Sequence, residues 1–288
     1  MFAVNWRQMK RSFAPIGVFD SGIGGLTVLK ALRERLPTED FVYLGDTARF
    51  PYGRKPKEMI AGFSRQNARF LESQGVKAVV IACNTASSCA LPEIDVPVFE
   101  VIEPGVAAAK AAFKGGVIGV VATKGTIHNA VYQRRLEALG LTVWARACPM
   151  LAPLVEEGLA AEDEARLLIE HYLRDRPANL DALVLGCTHY PVLKAAFQAH
   201  LGKDVEVVDS ASTTAERVAD QLESRGFLNT NGRGEVTHFV TGDPQSYQHT
   251  ASVIGGVDGE IHHLEIEELL GVELQSAELH SARKVAVA

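Results

Sequence analysis

The sequence predicts an α/β fold of two pseudo-symmetric domains, each a mainly parallel sheet flanked by helices, with the functional site between them. Three observations carry this. Short apolar runs alternate with helical patterns through most of the chain, the mark of parallel strands covered by helices. The alternation begins afresh near Val117. In corresponding places of the two rounds an apolar run ends in a cysteine followed by small polar residues, at Cys83 and at Cys187.

The elements follow in order. Ile16–Asp20 reads as a strand stopped at Ser21-Gly22, and Leu26–Leu36 repeats apolar residues at helical spacing. Phe41–Gly45 is a second strand, Lys57–Gln74 a helix stopped by Gly75, and Lys77–Ala82 a third strand leading to a helix that opens near Thr85. Val98–Val101 is a fourth strand. The second round gives strands at Val117–Ala122, Leu141–Ala147, Leu183–Leu185 and Val205–Val208, with helices over Asn129–Leu139 and Glu162–Arg174. A helix over Thr214–Ser224 and a strand-like His238–Thr241 come after it.

The two rounds align. Ile16-Gly-Val-Phe-Asp matches Ile118-Gly-Val-Val-Ala, and Val79-Val-Ile-Ala-Cys83-Asn-Thr matches Leu183-Val-Leu-Gly-Cys187-Thr-His, at almost equal intervals. This suggests an internal duplication. Two similar domains facing each other would bring two similar cysteine loops together. Pro104 and the small polar stretch Ser210–Thr213 are natural crossing points. The first domain is therefore expected over 1–103 plus 213–288, with the second, 104–212, inserted in it. Residues 1–15 and 273–288 show no period and are expected to be a flexible extension and tail.

Composition narrows the function. The chain has 288 residues, enough for two domains with ample cores, and an ordinary apolar fraction of 47%. A net charge of −6, without a basic face, gives no support for nucleic-acid binding. The longest apolar runs, Val76–Cys83 and Leu180–Cys187, are too short to span a bilayer, so no membrane partner is expected. Met1–Pro15 lacks the apolar stretch of a signal peptide, which points to the cytoplasm. There the four cysteines would be thiols, and none is spaced for structural zinc. Cys89 and Cys148 read as small buried hydrophobes. No metal site is expected, His262-His263 included.

Cys83 and Cys187 differ in context. Each closes a predicted parallel strand, at the sheet edge where α/β proteins bind ligands. Each precedes a helix start, Asn84-Thr85-Ala86-Ser87 or Thr188-His189-Tyr190-Pro191, whose unpaired N–H groups should favour the thiolate. Asp20-Ser21-Gly22-Ile23-Gly24-Gly25 lacks the spacing of a phosphate loop. It can instead set Asp20 at the same edge, either to orient a thiol or to cap a helix. Phe50-Pro51-Tyr52-Gly53-Arg54 reads as a rigid turn presenting backbone amides. His189, two residues from Cys187, can tune that thiol.

Val18-Phe-Asp-Ser-Gly-Ile-Gly-Gly-Leu26, Tyr43-Leu-Gly-Asp46, Phe50-Pro-Tyr-Gly53, Ala82-Cys-Asn-Thr-Ala86 and Leu185-Gly-Cys-Thr-His-Tyr-Pro191 together resemble the motifs of the glutamate racemases, in order and over about Ile16 to Leu270. The resemblance implies that Cys83 and Cys187 flank the substrate Cα as opposed acid and base, with no pyridoxal phosphate or other cofactor. It implies support from Asp20, His189 and a glutamate of the Glu156-Glu157 pair, with Glu156 preferred. It also implies contacts to glutamate from Asp20, Ser21, Tyr52, Gly53, Asn84, Thr85, Thr188 and His189, and a role in supplying D-glutamate for peptidoglycan and cell shape. A homodimer is left open. Two alternatives stand beside this reading: an aspartate or other cysteine-pair racemase, and a non-catalytic two-domain protein that closes on a carboxylic acid.

Overall fold

The structure, a computed structural model, describes residues 12–273; the predicted extension and tail lie almost wholly outside them. Among the described residues, ten strands form two sheets in which every ladder is parallel. The first sheet contains β1 (Ile16–Asp20), β2 (Phe41–Gly45), β3 (Ala78–Ile81), β4 (Val98–Glu100), β9 (Val236–Val240) and β10 (Glu260–His263), in the order β10-β9-β2-β1-β3-β4. The second contains β5 (Val117–Ala122), β6 (Thr142–Ala147), β7 (Leu180–Gly186) and β8 (Glu206–Asp209), in the order β6-β5-β7-β8. Counting within each round, both sheets run second-first-third-fourth. Cys83 and Cys187 each follow the third strand, so the repeat seen in the sequence is also a repeat of topology.

The apolar runs are continuous because both faces of each sheet are covered. One face of the first sheet packs Ile16, Val18 and Val80 on helices α1 (Leu26–Arg35) and α10 (Ala211–Ser224). The other packs Phe19, Leu44 and Ile81 on α2 (Lys57–Ser73). The second sheet sets Val121, Leu183 and Leu185 against α8 (Asp163–Leu173) and α9 (Lys194–Leu201). Its other face sets Ile118, Val120 and Val184 against α4 (Ile102–Ala111) and α6 (Val131–Ala138).

Several expectations change. β7 is longer than Leu183–Leu185 because Leu180 and Ala182 already pair with β5. The helix expected over Asn129–Leu139 is two helices, α5 (Lys124–Asn129) and α6, broken at Ala130 with φ of 52°. An alanine in the left-handed region gives no local warning of such a break. Pro104 lies in the first turn of α4, where proline lacks no needed N–H, so the crossing to the second sheet is itself helical. Gly75 does end α2, with φ of 76°. The helix after Cys83, α3 (Asn84–Ser87), is a single turn. The remaining helices are α7 (Leu151–Glu156) and α11 (Pro244–Ala251).

Candidate active site

The carboxyl ends of β1, β3, β5 and β7 converge on one narrow cavity with about 40 Å³ of free space. Both Cys83 and Cys187 line it. So do Ser21, Tyr52, Gly53, Asn84, Thr85, Thr188 and His189, all of which the sequence had singled out. Asp20 and Glu156 stand behind this wall and reach it through other side chains.

The thiols are almost fully buried, Cys83 at 4% and Cys187 at 6% exposure. Their surroundings differ. The Cys83 sulfur lies 3.6 Å from the Ser21 hydroxyl. Burial pushes its pKa up to about 12, and the Asp20 carboxylate adds to the rise; an N–H from Ala86 and the Ser21 hydroxyl only partly offset them. The expected lowering by a helix terminus is therefore not met at Cys83. A one-turn helix offers too little dipole to overcome the loss of water.

Cys187 faces His189, with Sγ 3.8 Å from Nδ1. The opposite nitrogen, Nε2, is 2.8 Å from Glu156 Oε1. Glu156 is thus the member of the acidic pair that meets the histidine, delivered by the last residue of α7. Burial alone would lower the His189 pKa. Hydrogen bonding and charge from Cys187 and Glu156 prevail and push it up to about 10, so the ring is an imidazolium at neutral pH. The Phe50 ring packs beside it, centroids 5.9 Å apart.

Asp20 is fully buried and caps no helix; α1 begins after Gly25. Its carboxylate accepts from Gly22 N at 3.0 Å and from the Thr188 hydroxyl at 3.3 Å. Burial raises its pKa, partly countered by His189. It makes no hydrogen bond to Cys83 and acts on that thiol by charge. Tyr52 turns its hydroxyl away to Asp46 and Asn67. Asp46 is itself held by Arg49 and by Thr241 at 2.9 Å. Gly53 sits so close to the second sheet that a Cβ there would come within 2.7 Å of Thr123.

Sequence reading missed Thr123, Thr126 and Tyr132, and it placed Asp46 in a motif without giving it a role in the site. The hydroxyls of Thr85, Thr123 and Thr126 form a mutual triangle at 2.9, 3.2 and 3.0 Å. Tyr132 donates to Asn84 Oδ1 at 2.7 Å. One signal for Thr123 was available: aligning β1 with β5 sets it opposite Ser21, as the first residue after the strand. The arrangement as a whole places two thiols, an imidazolium and a ring of hydroxyl and amide groups around one cavity. It suits proton transfer at a carbon next to a carboxylate.

A family model described as Asp/Glu/hydantoin racemase matches residues 16–218. Glutamate racemase of Thermus thermophilus is 51% identical over 265 residues, covering 91% of this chain and all of the relative. The crystal structure of the Thermus thermophilus enzyme with β-chloro-D-alanine superposes with a TM-score of 0.84 at 50% identity, covering 89% of this chain and 99% of the other. Glutamate racemase of Francisella tularensis in complex with D-glutamate gives 0.80 at 36% identity, with 88% and 97% covered. With the sheets, the paired thiols and these likenesses in agreement, the chain belongs to the Asp/Glu/hydantoin racemase family and groups with its glutamate racemases.

Proposed function

We propose that this protein interconverts L- and D-glutamate without a cofactor, with Cys83 and Cys187 as the two proton-transferring groups. The observation that carries the reading is that each thiol follows the third strand of its own sheet and both line one cavity. A racemase must take the Cα proton from one face and return one to the other. In one direction the Cys187 thiolate takes the proton, the C–H electron pair spreads into the carboxylate, and the Cys83 thiol protonates the opposite face. The reverse reaction exchanges the roles. A buried Cys83 that keeps its proton suits the donor's part, and an imidazolium beside Cys187 suits the base's.

Ser21, Asn84, Thr85 and Thr188 are assigned to the α-ammonium and α-carboxylate. The turn at Tyr52 and Gly53 is assigned to the side-chain carboxylate, and Asp20, His189 and Glu156 to tuning the thiols. Exclusion of water strengthens each contact. We read residues 104–212 as a second domain inserted in the first, and the product as D-glutamate for peptidoglycan. The cytoplasm is assigned as the compartment. That agrees with four free cysteines and with the finding that no helix among the described residues is long and apolar enough to cross a membrane.

The test is circular dichroism of D- and L-glutamate with purified protein, chelator present and pyridoxal phosphate absent, in parallel with Cα exchange in deuterated water. Both enantiomers should decay to the racemate with deuterium uptake. Binding without exchange would favour the carboxylate-binding alternative. Aspartate turning over as fast as glutamate would favour a broader racemase. A requirement for pyridoxal phosphate or metal would reject the two-thiol mechanism.

A further inference from the structure

The two halves of the cavity are each braced by the opposite sheet, but by different means. On the Cys83 side the braces are Thr85 against Thr123 and Thr126, and Asn84 against Tyr132, all through side chains. On the Cys187 side they come from the start of α1. The Thr27 hydroxyl lies 3.0 Å from the backbone carbonyl of Thr188 and 2.9 Å from that of Gly24, three residues back. Gly24 passes so near that an added Cβ would be 2.5 Å from His189 Nδ1, the nitrogen that faces Cys187. Thr27 in the first turn of α1 and Gly24 just before it therefore touch Thr188 and His189 at once, by a hydrogen bond and by close packing.

A hydroxyl has one proton, so Thr27 can donate fully to only one of its two acceptors at a time. The local acceptor Gly24 ensures that the donor is never stranded when the other bond breaks. Of the two bonds, the one to Thr188 is the one that joins the sheets. Thr188 also places its side chain on Asp20, so its backbone orientation governs both that contact and the aim of the neighbouring Cys187 and His189.

The geometry points to Thr27 as a positioning residue for the Cys187 half of the reaction: its hydroxyl fixes the Cys187–His189 loop of one sheet against the other. This rests on the racemase reading above. Deleting the hydroxyl leaves the side-chain braces of the Cys83 half in place, and Asp20, which acts on Cys83 by charge, keeps its bond from Gly22 N.

Racemisation itself cannot reveal a one-sided effect in kcat/KM. Its equilibrium constant is unity, so kcat/KM is equal in both directions for any variant. Elimination from a glutamate carrying chloride at Cβ is free of that constraint. One base takes the Cα proton, the C–H electron pair forms the Cα=Cβ bond, and chloride leaves. The enantiomer served by Cys187 is defined as the one on which Cys83→Ser stays active. Thr27→Val keeps the branched shape and removes the hydroxyl. It should slow elimination from that enantiomer about fivefold, the worth of one ordinary hydrogen bond. The other enantiomer should react as in the wild type.

Thr27→Ser, which retains the hydroxyl, should restore the rate. Thr27→Ala must reproduce the one-sided loss and supplies the reading if the valine variant does not fold. Equal loss on both enantiomers, no loss at all, or a serine variant as slow as the valine one would each overturn the assignment. Wild-type protein that fails to racemise glutamate would instead overturn the function on which it rests, an outcome distinct from all of these.

Discussion

Glu156→Gln is the sharpest probe of the charged relay behind Cys187. It keeps the volume and an acceptor for His189 but deletes the negative charge 2.8 Å from Nε2. His189 is buried, with 3% of its side chain exposed, against 22% for Glu156, so bulk water does little to screen the pair. A hydrogen bond to a charged group is worth about 1.5–3 kcal/mol and a neutral one about 0.5–1.5. The substitution therefore removes roughly 1–1.5 kcal/mol of preference for the imidazolium, about a tenfold change in its proton affinity.

The sign follows from the shift. The His189 pKa is raised to about 10, so the stability it contributes is fully present below the unfolded value of about 6.5 and is lost as pH rises through about 10. The variant should lose the protonated ring at lower pH. The alkaline limb of its racemisation profile should then fall about one pH unit earlier than in the wild type. Circular dichroism between neutral pH and the alkaline limit, with the His189 ring followed by NMR, checks both parts. An unmoved alkaline limb together with an unmoved ring titration would refute the argument that Glu156 acts on Cys187 through His189.

Three other outcomes are expected. Cys83→Ser and Cys187→Ser should each lower racemisation by about 10²–10⁴-fold. In an elimination assay they should retain activity on opposite enantiomers, whereas a shared preference would mean that the thiols do not face opposite sides of Cα. Gly24→Ala must move the His189 ring by most of an ångström to relieve a 2.5 Å contact, which should cost about a hundredfold in rate at nearly unchanged fold, as read by kinetics and far-UV circular dichroism. Cys83, with its pKa near 12, should resist alkylation by iodoacetamide at pH 8 in the folded protein and react on unfolding, measured by mass spectrometry.

Sequence and structure agree best where local chemistry is emphatic. β1 and β2 match their expected bounds because each apolar run ends against small or polar turn residues, and α2 stops at a glycine that the turn requires. The cysteine pair was visible through the repeat. Short helices escaped: α7 has six residues, a proline and no side-chain cap, so it carries no period to detect. Glu156 entered the sequence reading only by likeness to a family. The cross-sheet partners of the site, Thr126, Tyr132 and Thr27, were hidden for another reason. Each meets its partner across the gap between sheets, a relation that local spacing does not encode. The raised Cys83 pKa was missed because burial, unlike a helix start, is a property of the assembled molecule.

β3 is bonded on both sides, to β1 and β4, and β7 likewise to β5 and β8. The two thiols therefore hang from interior strands, whose amides should be among the last in the molecule to exchange with deuterated water. Much of the remaining cavity wall is made of turns and short helices around Phe50, Thr123 and Pro149, whose amides have fewer such bonds. In an exchange experiment the strands that carry the two thiols should mark slow islands within a faster rim. An inhibitor that acts by rigidifying the rim would then change the exchange pattern far more than the resting positions of the sulfur atoms.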